Sequence, residues 1–268
     1  MILVRSTLLV TVILAIVNTS TAQSAKTSAR DYPAVIKDSI DRRARAERVW
    51  RRMLDAYKVP QTPPDLYPIT YTPRSLLGVS GGIKITGERA DGSSDALALR
   101  EAVKAFLDRW RDMIGADLST MSLRSVDESG DSQRMTFRQV DYQYPIAEGF
   151  GVMAVVVSLD GRLTQLDDRF IPPVELPKRP SIDRDAALKK VVGRSFTYSD
   201  VAGREQQSMV GSREEVSVRR LVVLPIEKAD EIEVRLVWEV VAGTTPSWTV
   251  YIDAVTGDEV RAVQNVKT

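Results

Sequence analysis

The sequence predicts an α+β fold of two similar modules, each a helix packed on a curled antiparallel sheet, preceded by a basic N-terminal helix. Apolar residues first recur with the 3.6-residue period of a helix and then with the two-residue period of strands. This order occurs twice along the chain, and a helix laid across an antiparallel sheet is the simplest way to bury each unit. We expect the modules at residues 65–176 and 177–268.

Residues 1–22 have the features of a secretory signal peptide. Arg5 supplies a positive charge, and LLVTVILAIV (8–17) is an apolar stretch shorter than the roughly 20 residues that a spanning helix needs. Small residues at Ser20 and Ala22 predict cleavage after Ala22. We therefore expect an exported protein, periplasmic or extracellular, with an uncleaved N-terminal anchor as the alternative.

The residue types that are missing exclude several kinds of active site. The chain has no histidine and no cysteine, which excludes histidine and cysteine zinc motifs, Ser-His-Asp and Cys-His nucleophile systems, and disulfides. The 37 Lys and Arg residues less Arg5 leave 36, equal to the 36 Asp and Glu residues. A balanced mature chain creates no global field for nucleic acid or an anionic membrane. We expect no cofactor, no metal and no catalytic residue.

Residues 34–58 are predicted to form a basic amphipathic helix. The apolar positions near the helical pattern are Ile36, Ile40, Ala44, Trp50, Met53, Leu54 and Tyr57. Between Lys26 and Lys58, ten basic residues stand against five acidic residues. Such a helix can contact a membrane surface or an acidic partner, although a solvated charged face is the more frequent reason for the pattern. Pro60–Pro64 is interpreted as a linker, so residues 23–64 precede the modules.

The first module is predicted to contain short extended segments within 72–87, a helix and four strands. Asp95 is a candidate N-cap, and Gly115 stands where a C′ glycine would end the helix. The buried stripe of this helix consists of Leu99, Val103, Phe106, Trp110 and Ile114. The strands are expected near 121–127, 134–143, 150–159 and 162–169, with turns at Ser129-Gly130-Asp131 and Asp160-Gly161.

The second module repeats this plan after a second proline-rich linker at 172–180. Ser181 or Asp183 can cap a short helix that ends before Gly193. The helix carries the apolar residues Ala187, Leu188, Val191 and Val192. A polar stretch at 194–215 precedes strands expected at 216–224, 232–242, 247–253 and 258–264, with Thr256-Gly257-Asp258 turning the last pair.

Several segments match the motifs of a known family in their order and spacing. In the first module they are TPRSL (72–76), AVKAFLDRWRDMIG (102–115), MTFRQVDYQYPI (135–146) and GVMAVVVSLDGRL (151–163). In the second they are RLVVLP (220–225), VRLVWEV (234–240) and VYIDAVTGDEVRAVQNV (250–266). The first set resembles the propeptide (FTP-like) module of thermolysin- and fungalysin-type metallopeptidases, and the second is similar to the PepSY module that follows it. The chain departs from the family at Tyr144-Pro145-Ile146, where the family has a glycine before Pro-Val.

The resemblance implies cystatin-like modules and a function without catalysis. Propeptides of this family hold their own zinc peptidase inactive, but a chain without histidine contains no such catalytic half. The expected partner is therefore a secreted thermolysin-like metallopeptidase, which the chain would inhibit or help to fold in trans. The partner-binding tail implied by the resemblance comprises Ala262, Val263, Gln264, Asn265, Val266, Lys267 and Thr268.

Two other function classes stay open. The chain can instead be a structural or ligand-binding module of the envelope or the extracellular space, with 34–58 and 194–215 as contact surfaces. An enzyme would need paired carboxylates, such as Asp167-Asp168 or Glu214-Glu215. Adjacent residues on a strand point to opposite faces, which argues against catalysis by these pairs.

Overall fold

The computed structural model describes residues 32–76, 79–86, 96–147, 149–200 and 202–265. Within these ranges, four helices and fourteen strands confirm the predicted α+β class. None of the described helices combines the length and the apolar character that are needed to cross a bilayer. The predicted signal peptide and the candidate cap Asp95 lie outside the described residues.

The N-terminal segment begins with a strand, where a helix was predicted from residue 34. Strand β1 (Ala34–Lys37) precedes helix α1 (Ile40–Ala56). Ser39 caps the helix, since its Oγ accepts a hydrogen bond from the backbone N–H of Arg42 at 3.3 Å. Strand β1 pairs antiparallel with residues 231–234 of the second module. This distant partner decides the conformation of a segment whose local pattern also suits a helix.

The first module contains two short helices and a five-stranded antiparallel sheet. Its elements are β2 (Asp65–Leu66), β3 (Pro73–Ser75), β4 (Ile83–Lys84), α2 (Ala96–Arg109), α3 (Arg111–Ile114), β5 (Met121–Ser129), β6 (Ser132–Gln139), β7 (Val152–Ser158) and β8 (Arg162–Asp168). The sheet order is β4-β8-β7-β6-β5, and β2 pairs separately with β3. The single helix predicted between Asp95 and Gly115 is interrupted at Trp110 and forms α2 and α3. Its predicted stripe is nevertheless buried at all five positions, and Gly115 ends α3 with a φ of 72°.

The second module also places one helix against an antiparallel meander. Its elements are α4 (Arg184–Val191), β9 (Ser195–Ser199), β10 (Glu205–Met209), β11 (Val216–Glu227), β12 (Glu231–Ala242), β13 (Ser247–Asp253) and β14 (Glu259–Asn265). Asp183 is the cap of α4, because its Oδ1 accepts from the Ala186 N–H at 2.7 Å. Each of the strands β11 to β14 pairs with the next one along the chain. Strand β1 pairs with the start of β12, on the same edge of β12 as β13.

Helix α1 belongs to the core of the first module. Its buried side chains pack with α2, α3 and one face of the sheet; they are Val49, Trp50, Met53 and Leu54. The indole N–H of Trp50 donates to the carbonyl oxygen of Thr62 at 2.8 Å. The proline-rich stretch Pro60–Pro64, which was interpreted as a linker, therefore packs against α1.

A buried apolar seam joins the N-terminal strand to both modules. The seam consists of Ile36, Ile69, Ile146, Phe150, Ile171, Val223, Ile232 and Val234. Ile146 and Val223 form a parallel bridge, in which the Ala147 N–H donates to the Val223 oxygen and the Val223 N–H donates to the Pro145 oxygen, each at 2.9 Å. The chain thus departs from the family motif at the point where its first module contacts its second.

Candidate binding surfaces

The predicted partner-binding tail is held in a sheet over the part that the structure describes. Residues 262–265 are the end of β14, which pairs with β13 from Ser247 to Ile252. Asn265 fixes the last pair, since the Thr249 hydroxyl donates to its Oδ1 at 2.9 Å. Among the described strands β14 pairs with β13 alone, so its second edge is open. Residues 266–268 lie outside the described residues.

The motif Asp253-Ala-Val-Thr-Gly forms the turn that the sequence predicts between the last two strands. The Asp253 Oδ1 accepts from the backbone N–H groups of Val255 at 2.8 Å and Thr256 at 3.0 Å. Gly257 follows with a φ of 80°, a left-handed conformation that glycine adopts without a steric penalty. The aspartate and the glycine of this motif are therefore structural.

The same aspartate anchors the start of the described chain. Arg235 Nη1 donates to the Asp253 Oδ2 at 2.7 Å, and the Tyr32 hydroxyl lies 3.0 Å from that oxygen. Burial and the Asp253 carboxylate raise the pKa of the Tyr32 hydroxyl far above its ordinary value. Because Asp253 is fully buried and shared by these donors, it ties the N-terminal segment to the second module.

The adjacent carboxylates Asp167 and Asp168 point apart, as the strand period predicts. Asp167 Oδ1 accepts from the Tyr67 hydroxyl at 2.9 Å and is half-buried. Asp168 is fully buried, and its Oδ1 accepts from the Phe170 N–H at 2.9 Å. Burial raises the pKa of Asp168 well above its ordinary value, and the negative charge of Asp167 adds to the shift. The pair does not form a two-carboxylate site.

A β-bulge in the second module brings two consecutive arginines to one carboxylate. The register of β11 shifts between Val218 and Arg220, which leaves Arg219 as the extra residue. Arg219 Nη1 lies 3.3 Å and Arg220 Nε lies 2.7 Å from the two oxygens of Glu239. Glu239 is buried, so both cations stabilise its charge, and the cluster has a structural explanation.

The exposed side of α1 forms a cationic groove with α3. We call this surface the arginine groove; it is lined by Arg45, Arg48, Arg51, Arg52, Asp55 and Asp112, with Val49 between them, and has a volume of about 510 Å³. The four arginines are exposed. Within the described residues, Arg45, Arg48 and Arg52 form no ion pair or hydrogen bond, whereas the neighbouring Arg43 pairs with Glu47 at 2.9 Å.

The sequence indicated the charge of this helix but not the groove. Its second wall comes from α3, which is distant in the sequence and contributes Asp112. A signal was nevertheless present, because Arg45, Arg48 and Arg52 follow the i, i+3, i+7 spacing of one helical face. The long-range contact between α1 and α3 turns that face into a concave surface.

The polar stretch at 194–215 folds as a hairpin of β9 and β10, which the sequence analysis did not predict. Two aromatic residues of the hairpin pack on Trp248. The ring centroid of Phe196 lies 4.6 Å from that of Trp248, and the ring centroid of Tyr198 lies 5.9 Å from it. These aromatic contacts explain how a polar segment holds its place on the second module. The hairpin exposes Met209 at its end.

Comparisons with known proteins give no family assignment. No protein-family model matches the sequence, and no curated protein matches it. Among solved structures, the chain is similar to the Bacillus megaterium YpeB C-terminal domain, with 14% identity and a TM-score of 0.34. That match covers 86% of this chain and 99% of the other. A likeness at this level carries no functional meaning for this chain.

Proposed function

We propose that the chain is an exported, non-catalytic binding protein of the propeptide type, which binds a secreted zinc peptidase in trans. The observation that supports this proposal is the placement of the family-like segments. Residues 102–115 cover the end of α2 and all of α3, 151–163 contain the β7–β8 turn at Gly161, and 250–265 contain the Asp253 turn. This order of helix, hairpin and turn agrees with the order of the motifs that the sequence resembles, which supports the proposal.

The structure of β14 suggests how such a protein would meet its partner. Residues 262–265 are paired in a sheet, so they would present an edge strand rather than a loose tail. An open edge can bind an extended segment of another protein through backbone hydrogen bonds. We therefore place the proposed contact along β14 and the residues that follow it.

A titration of peptidase activity tests this function. Residues 23–268, added at increasing concentration to a thermolysin-like peptidase, should slow hydrolysis of a peptide substrate in a saturable manner. Deletion of 262–268 should remove the inhibition, with circular dichroism and gel filtration showing that the remaining chain is folded. Full peptidase activity at micromolar excess of the intact chain, together with unchanged refolding yield of the denatured peptidase, would contradict the proposal.

An envelope or extracellular binding role unrelated to proteolysis is the second candidate. The observation that favours it is the arginine groove, which lies on α1 and is separate from β14. An affinity capture from the native secretome distinguishes the two. Zinc peptidases retained by the intact chain but lost on deletion of 262–268 favour the first candidate, and retention of acidic envelope proteins favours the second.

A further inference from the structure

We propose that the arginine groove between α1 and α3 is a docking site for an acidic peptide segment of a partner protein. Four exposed arginines line it against two aspartates, which leaves a formal net charge of +2. Carboxylates of Asp and Glu side chains accept paired hydrogen bonds from guanidinium groups. The site goes beyond the peptidase contact proposed for β14 and does not depend on it.

The arginine pattern of α1 opposes helix stability. Arg48 lies three residues after Arg45, three before Arg51 and four before Arg52, so like charges are neighbours on the helix surface. Such pairs destabilise a helix, in contrast to an i, i+4 pair such as Arg43 with Glu47. A bound anion would offset this repulsion.

One of the two groove carboxylates, Asp55, is held by a side chain from outside the groove. The Gln61 side-chain amide donates to Asp55 Oδ1 at 2.5 Å and to the Arg51 carbonyl oxygen at 3.3 Å. Asp55 is therefore held by Gln61, and no ion pair between it and a groove arginine is recorded in the described part of the chain. The guanidinium groups of Arg48 and Arg52 therefore keep their hydrogen-bond donors available to a ligand, although the charge of Asp55 stays in the groove.

The helix that carries the groove arginines is held in place by the core of the first module. The side of α1 opposite the arginines is anchored in the core through Trp50, Met53 and Leu54. The Trp50 indole donates to Thr62, which fixes the following proline-rich stretch beside the helix. A rigid helix limits the entropic cost of binding to the ordering of the partner segment and of the arginine side chains.

The shape of the site favours a peptide over a membrane. Interfacial helices insert their apolar face into the bilayer, but the apolar face of α1 is buried in the first module. The groove is concave, and its volume of about 510 Å³ falls within the range of ligand sites, roughly 300–1,000 Å³. A flat headgroup layer does not enter such a groove, whereas an extended acidic segment does.

Fluorescence anisotropy with a labelled hexaglutamate peptide tests the proposal on residues 23–268. We expect saturable binding that weakens as salt is raised, because exposed charge pairs are screened. The variant Arg48→Gln/Arg52→Gln should bind about tenfold more weakly, since each arginine contributes a charge-assisted contact. Its thermal unfolding temperature should be unchanged or higher, because the substitution removes repulsion within α1.

The matched control is Arg134→Gln/Arg179→Gln, which removes the same charge from exposed arginines outside the groove. Affinity within about twofold of the unsubstituted chain supports a defined site, since distant exposed charges are largely screened. Equal losses in both variants would overturn the proposal, because they would show non-specific attraction. Absence of saturable peptide binding would also overturn it, including the case in which phosphatidylserine vesicles bind through Arg48 and Arg52 instead.

Discussion

Asp168 places a carboxyl group in the core of the first module with incomplete hydrogen bonding. Its Oδ1 accepts from the Phe170 N–H, while its Oδ2 has no hydrogen-bond partner among the described residues. Burial raises its pKa in the folded protein above the value of the unfolded chain. The folded state therefore binds the proton more tightly, and the stability from this group is present at acidic pH and lost as pH rises through the folded pKa.

Replacing this carboxyl should stabilise the protein at neutral pH. Asp168→Asn keeps an acceptor for Phe170 and removes the ionisable group, so we expect the free energy of unfolding at pH 7 to rise by about 1–3 kcal/mol. Urea unfolding from pH 4 to pH 8 measures the change, with Asp167→Asn at the half-buried neighbour as the control. If Asp168→Asn lowered the free energy of unfolding more at pH 7 than at pH 4, this account would be contradicted.

Gly149 and Gly151 provide a matched pair at the loop that contacts the second module. Both have a positive φ, 76° and 65°, but a Cβ at Gly149 meets nothing within 4 Å. A Cβ at Gly151 would lie 2.7 Å from the Cδ1 of Ile146 and 2.9 Å from the Cβ of Ile146. Backbone strain is therefore common to both positions, and the collision with the seam is specific to Gly151.

Alanine substitutions should separate strain from collision. Gly149→Ala should cost about 1–2 kcal/mol of unfolding free energy from the left-handed backbone alone. Gly151→Ala should cost a further 1–3 kcal/mol or so, because Ile146 must move. Denaturant unfolding of the two variants provides the comparison. Equal losses would show that the loop is not packed as described.

At the scale of elements, locally encoded features could be predicted and non-local ones could not. The eight main strands lie near their predicted positions because their two-residue period and glycine turns are local signals. Strand β1 was predicted as helix because its partner, β12, lies about two hundred residues away. The β9–β10 hairpin was missed because its support is the aromatic ring of Trp248 rather than its own pattern.

The pairing of β1 with β12 makes a specific prediction for two adjacent side chains. Ile36 is 4% exposed in the seam, whereas Val35 is 39% exposed. Ile36→Ala should cost about 2–4 kcal/mol of unfolding free energy, and Val35→Ala should cost less than about 1 kcal/mol. Chemical denaturation measures both. The reverse order would mean that the strand presents its other face to the seam.

At the scale of the whole molecule, the two modules and the N-terminal segment share one buried seam. Neither composition nor periodicity could predict this, because the seam is built from isolated apolar residues such as Ile69 and Ile171 in connecting segments. The arginine groove was hidden for the same reason, since it needs both α1 and α3. The domain limits assigned from the sequence remain a prediction; the modules meet in the seam and at the Ile146–Val223 bridge.

Scanning calorimetry of residues 23–268 tests most directly whether these parts form one body. We predict a single transition whose calorimetric and van't Hoff enthalpies agree. Ile146→Ala, which removes a seam side chain between the modules, should lower the temperature of that whole transition. Two separate transitions, or a shift of only one part of the trace in Ile146→Ala, would contradict the shared seam.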